Sequence, residues 1–159
     1  STTIYVKPDA DRSGQPYYYY ADYNGAYFIQ TTESINPYYQ TDFATVKFSF
    51  IPPGNAALPD QDIYLFGELT GYKFDDASRM VFNAQKGIYE GSAFLKMGFY
   101  NYAYVTVNKN DLAPKASFEF TEGNHFETEN DYLILVYYRS MGGRADELVG
   151  TFSLNTLRQ

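Results

Sequence analysis

The only histidine of the chain, His125, stands in its densest run of carboxylates, Glu122-Gly123-Asn124-His125-Phe126-Glu127-Thr128-Glu129-Asn130-Asp131. A histidine among acids is the start of a general-base arrangement, in which a carboxylate orients the imidazole and the imidazole activates a nucleophile. The sequence carries no G-x-S-x-G or H-E-x-x-H frame to complete one. With no cysteine, thiol catalysis, a disulfide framework and a cysteine zinc site are all excluded. Calcium is a less forced ligand, because Glu127, Glu129 and Asp131 alternate and can set their oxygens on one side of an extended chain. The spacing is not that of an EF-hand loop, however. A solvated loop whose side chains tie up backbone groups ahead of a strand outweighs both. The expectation is therefore a chain that is not an enzyme and has no metal site and no cofactor.

A second group with chemical potential is Glu68, Tyr72 and Phe74, in a polar, turn-rich segment from Glu68 to Lys86. Exposed aromatics on such a turn can stack on sugar rings, so these three are the candidates for carbohydrate binding. The competing expectation, which aromatic burial favours, is a turn packed on the edge of a sheet.

The elements that would position these residues are strands. No stretch holds a 3.6-residue period over eleven or more residues. Phe43–Ile51 alternates, with Ala44, Val46, Phe48 and Phe50 on one side and Thr45, Lys47 and Ser49 on the other, as in a strand with one buried and one wet face. Pro52-Pro53-Gly54 ends it. Ile63–Phe66 is an apolar run closed by Gly67. Tyr89–Lys96 and Phe99–Val107 flank Met97-Gly98, a connection that suits a hairpin. Ser117–Thr121 is a possible short strand. Tyr132–Tyr138 is apolar on both faces and reads as a central strand, and Leu148–Leu154 alternates as a last one. Between these two, Arg139, Arg144, Asp146 and Glu147 surround a glycine turn that they can pin by ion pairs. About seven strands at short spacing lead to an antiparallel immunoglobulin-like β-sandwich over residues 41–159.

Residues 1–40 are expected to form an arm. Ile4–Val6 can make one short strand before Pro8. The aromatic runs around Asn24-Gly25, from Tyr17 to Thr31, read as a hairpin. A solitary hairpin is marginal in water, so it needs cover.

Composition narrows the function further. The 159 residues suffice for one domain with a single core. Tyrosine and phenylalanine number 18 and 13, more than one sandwich core plainly needs, and such residues are favoured at protein interfaces. The net charge of −7 argues against a nucleic-acid partner and an anionic membrane surface. No apolar run approaches the length of a transmembrane helix. The chain begins at Ser1 without an initiator methionine or a signal peptide, so a processed or truncated start is expected.

Four segments carry a resemblance to a known family: FGELTGY, RMVFNAQKGIYEGSAFLKMGFYNYAYV, EGNHFETENDYLILVYYR and RADELVG. Their order is similar to that of the C-terminal part of the type IX secretion system plug proteins, a Bacteroidota cell-envelope family. The similarity runs from about Tyr5 to Leu154, and EGNHFETENDY with its following YYR is the most specific part. The resemblance implies a periplasmic protein that seats against an outer-membrane translocon, preceded by a signal peptide and an N-terminal domain. On that reading the partner-binding candidates are Tyr17, Tyr18, Tyr19 and Tyr20, with Glu122, His125, Glu127, Glu129 and Asp131. A weaker resemblance is to the early-set immunoglobulin-like modules that bind glycogen and starch, through Gly67-Glu68 with Tyr72, Gly87-Ile88-Tyr89 and Gly98-Phe99-Tyr100-Asn101-Tyr102. It implies an early-set fold. Those modules commonly stack sugars on tryptophan, and this chain has none.

Overall fold

The computed structural model describes residues 2–16, 26–30, 42–123 and 131–156. Among them the structure is all-β, with eleven strands, two 3-10 turns and no α-helix. The described residues fall into two compact units, one holding β1 to β9 and the other β10 and β11.

The first unit is built on β4 (Phe43–Ile51), whose limits match the alternation in the sequence. Its inward positions become core: Phe48 and Phe50 are buried, and Val46 packs against them. β4 pairs antiparallel along its length with β7 (Ile88–Lys96), and β7 pairs with the short β6 (Val81–Asn83). On the other edge of β4 run β1 (Thr2–Tyr5) and then β2 (Asp9–Ala10), both parallel to it. These parallel strands belong to residues 1–40; among the described residues of 41–159 every strand pairing is antiparallel, as expected. Pro8, which has no N–H to donate, stands where the pairing breaks between the two strands. Residues 2–11 are therefore ladder rather than loose arm, with Val6 and Asp11 donating their backbone N–H groups to Lys47 and Ile51.

A second sheet pairs β5 (Gln61–Phe66) with β9 (Ala103–Asn108), antiparallel. It is widened by single bridges, Tyr64 to Arg79 on one edge and Thr106 to Ser117 on the other. Of the strand considered for Ser117–Thr121, only that bridge forms. Ile63, Leu65 and Tyr104 of this sheet meet Phe48, Phe50 and Tyr89 of the first in one cluster, completed by Met80. Burying such side chains stabilises the unit by roughly 1.5–3 kcal/mol each.

The Met97-Gly98 connection is not a hairpin. β7 and β9 lie in different sheets, and the chain passes between them through β8 (Phe99–Tyr100), which pairs with β3 (Tyr27–Phe28). The apolar positions of β7 match those of β4, so β7 completes that sheet instead of folding back on β9. Gly98 permits the crossing, since a Cβ there would stand 2.6 Å from the carbonyl oxygen of Phe28. Tyr27 and Phe28 belong to the second half of the hairpin expected at 17–31. Its Asn24-Gly25 turn, and the boundary expected at residue 40, lie outside the described residues.

In the second unit, β10 (Asp131–Tyr138) pairs with β11 (Glu147–Asn155), with a bulge at Val136 and Tyr137. A central strand was the expectation for β10. It is hydrogen-bonded along one edge to β11, and among the described residues no strand adjoins its other edge. Arg139 and Asp146 close the turn with a bidentate ion pair, at 2.7 and 3.0 Å, as the sequence suggested.

Candidate functional site

Of the residues expected to bind a partner, Tyr17, Tyr18, Tyr19, Tyr20, His125, Glu127 and Glu129 lie outside the described residues, and Asp131 is described only as the backbone that opens β10. The calcium arrangement considered for this run lies largely outside them too. Among the described residues no three histidine or acidic side chains gather as a metal would need.

Glu122 is placed, and its role is local. It follows a tight turn in which Thr121, Glu122 and Gly123 all donate backbone N–H groups to the carbonyl of Phe118. The fully buried Thr121 donates its hydroxyl to the carbonyl of Tyr104 at 2.6 Å. The Glu122 carboxylate then faces the guanidinium of Arg12 at 3.1 Å, beside a backbone bond from Arg12 N–H to the Thr121 carbonyl. Burial raises the affinity of this carboxyl for its proton, and the positive charge of Arg12 only partly offsets that.

Next to this contact lies a polar cluster that the sequence did not point to. Tyr102 and Tyr104 both donate their hydroxyls to the same oxygen of Asp9, at 2.9 and 3.0 Å. Tyr104 is buried in the core and Tyr102 packs edge-on against Phe48. Desolvation, chiefly, and the carboxylate hold both phenols protonated well above the usual tyrosine range. The cluster fixes the N-terminal ladder to the core. Every hydroxyl in it has a partner.

The three carbohydrate candidates do separate jobs. The Glu68 carboxylate accepts the backbone N–H of Tyr27 at 3.0 Å, tying β3 to the turn after β5. Phe74 packs edge-on against Tyr64. Tyr72 packs edge-on against Phe66, which also meets Phe118. Tyr64 and Phe66 are successive positions on the outer face of β5, so these rings cover the side of the second sheet opposite the core. Of the three, Tyr72 alone combines a large ring with half exposure, and it has a left-handed backbone, φ 55°. The packed-turn expectation describes most of this segment.

A different surface of the first unit carries a stacked pair of exposed aromatics. On the outer face of β4 and β7, Phe43 and Phe94 stack at 5.2 Å and are 49% and 64% exposed. The ammonium of Lys96 sits 5.6 Å from the Phe43 ring. Met97, Phe99 and Tyr27, in the chain that follows and the strand paired with it, are each about half exposed, Phe99 and Tyr27 on opposite faces of the β3–β8 pair. Phe99 stacks on Phe28, and Tyr27 on Tyr100. A signal for this patch exists in the sequence. In β7 the outward positions run Glu90, Ser92, Phe94, Lys96, and Phe94 breaks that polar alternation.

No family model matches the chain. No curated protein matches it either. Among solved structures it is similar to a hypothetical protein from Parabacteroides merdae, at 33% identity and a TM-score of 0.87 over 97% of this chain. The chain spans 38% of the length of that protein.

Proposed function

We propose that this chain is a non-catalytic protein-interaction domain of a periplasmic cell-envelope protein, and that it docks on an outer-membrane protein assembly, with a secretion translocon as the leading candidate. Its two core-forming sheets are read as an early-set immunoglobulin-like β-sandwich. The observation that carries the reading is the exposed, stacked pair Phe43 and Phe94 on the outer face of β4 and β7. Large rings with a neighbouring cation are what protein interfaces concentrate and what a monomer's free surface seldom gathers. The resemblance to the type IX plug proteins supports the compartment, and the structural relative comes from a Bacteroidota species, as that family does. The acidic balance favours a protein over nucleic acid or anionic lipid. Tyr17–Tyr20 and the Glu122–Asp131 segment remain partner-binding candidates in their own right, apart from this surface.

The rival reading is a carbohydrate-binding module centred on Tyr72, and the half-exposed ring of that residue is what speaks for it. Affinity purification of the full-length protein from its own envelope separates the two. Recovery of an outer-membrane protein supports docking. Recovery of polysaccharide alone, lost on Tyr72→Ala, supports the rival.

A further inference from the structure

The β10–β11 hairpin has two unlike faces. Residues directly opposite in an antiparallel pair share a face. Tyr132 stands opposite Leu154, Ile134 opposite Phe152, and Val136 opposite Gly150. The bulge after Val136 then shifts the register, so that Tyr137 meets Leu148. The extra residue is Val149 on β11, so Tyr137 keeps the alternation of β10 and lies with Leu148 on the side of Leu133 and Leu135. One face is therefore apolar along Tyr132, Ile134, Val136, Phe152 and Leu154, all between 44% and 60% exposed. The opposite face mixes Leu133, Leu135, Tyr137 and Leu148 with Thr151 and Ser153. A two-stranded sheet with such a face open to water is marginal on its own.

We infer that the apolar face of β10–β11 is seated against a part of the same polypeptide lying outside residues 1–159. The match to the Parabacteroides merdae protein takes in 97% of this chain, so most of the hairpin lies within the shared region, while 38% of that protein is matched. More chain than the whole of this one thus accompanies the hairpin in the relative. The chemistry of the face favours that occupant over a transient partner. A patch whose one carboxylate, Glu147, stands at its turn end resembles an interface formed once, on folding, whereas surfaces that dock and release are more polar.

The absence of cysteine makes a clean test possible. Val136→Cys places a thiol on the apolar face, and Thr151→Cys places one on the other. Each is introduced into the full-length polypeptide and into the 159-residue chain, and labelling by a thiol reagent is timed under native conditions. In the full-length protein Val136→Cys should react about tenfold or more slowly than Thr151→Cys, and in the 159-residue chain the two should react alike. Equal rates in the full-length protein overturn the inference. So does protection of Val136→Cys in the 159-residue chain, whether independent of concentration, which means cover from within, or rising with it, which means a second copy. A gene that encodes no further chain overturns it outright. Phe152→Cys and Ser153→Cys repeat the comparison. Should neither pair fold, hydrogen exchange of the unsubstituted proteins decides, and equal exchange of residues 132–137 in the two lengths overturns the inference.

Discussion

The hydroxyl of Tyr104, in the centre of the core, donates to the carboxylate of Asp9, 95 positions earlier in the chain. Tyr102 donates to the same oxygen. One acidic residue on a two-residue strand therefore satisfies two phenols that the core half encloses.

Asp9→Ala should cost about 1–3 kcal/mol, because it leaves a buried donor with only a 3.5 Å contact to the Ser49 carbonyl. Asp9→Asn keeps an acceptor of the same shape and should recover much of the loss. Urea unfolding of the three proteins checks this. Equal stability of the alanine and asparagine variants would assign the effect to packing. In alkaline titration followed by ultraviolet absorbance, Tyr102 and Tyr104 should ionise only as the protein unfolds, since their proton affinity is raised.

Glu122 gives a pH dependence of defined sign. Its folded pKa is raised, so the folded protein holds a proton that the unfolded chain has released. Stability should fall as pH rises from the ordinary glutamate range, near 4.5, through the raised value. Glu122→Gln should match the wild type in acid and be at least as stable at neutral pH, despite losing the ion pair to Arg12. Thermal melts from pH 4 to 8 measure it. A glutamine variant less stable at pH 7 than at pH 4, relative to wild type, would reverse the sign.

Gly98→Ala should detach β3 from β8, because its Cβ meets the Phe28 carbonyl, which is backbone and cannot swing aside. The expected loss is about 1–3 kcal/mol, with faster amide exchange confined to residues 27–28 and 99–101. Uniformly faster exchange would mean that the crossing holds up the whole unit.

These positions show how far sequence reached. The limits of β4 were legible because one face is wet and the other dry, which leaves a period-two trace. β1 was visible as Ile4–Val6, but its parallel pairing was not, since an exposed edge strand has no periodicity that names its neighbour. Met97-Gly98 looked like a hairpin because two alternating runs flank a glycine, and nothing local says that those runs belong to different sheets. Asp9 and Glu68 are fixed by partners 93 and 41 positions away, so neither role could be read from its surroundings. The apolar Tyr132–Tyr138 run reads as a central strand, whereas among the described residues β10 is paired on one edge and its side chains are about half exposed. Apolarity alone does not say which neighbour covers a strand. Phe94 is legible as an apolar residue on a polar face, a fainter signal than the tyrosine run at 17–20.

Tyr72→Ala should alter stability by less than about 1 kcal/mol, as expected for a half-exposed ring packed on one side. Calorimetry of the wild type against soluble glucans and envelope polysaccharides should show no heat of binding. Saturable heat that disappears in Tyr72→Ala would replace docking with sugar recognition.

The most direct measurement is the capture of outer-membrane proteins by purified full-length protein, wild type against Phe43→Ser with Phe94→Ser. Both side chains lie on the outer face of the sheet, so the double variant should keep its fold and its melting temperature nearly unchanged. Docking through this surface requires that the wild type retain an outer-membrane protein and that the variant lose it about tenfold or more, a difference of about 1.4 kcal/mol. Equal capture by a folded variant would contradict the placement of the interface, and no capture by the wild type would contradict docking itself.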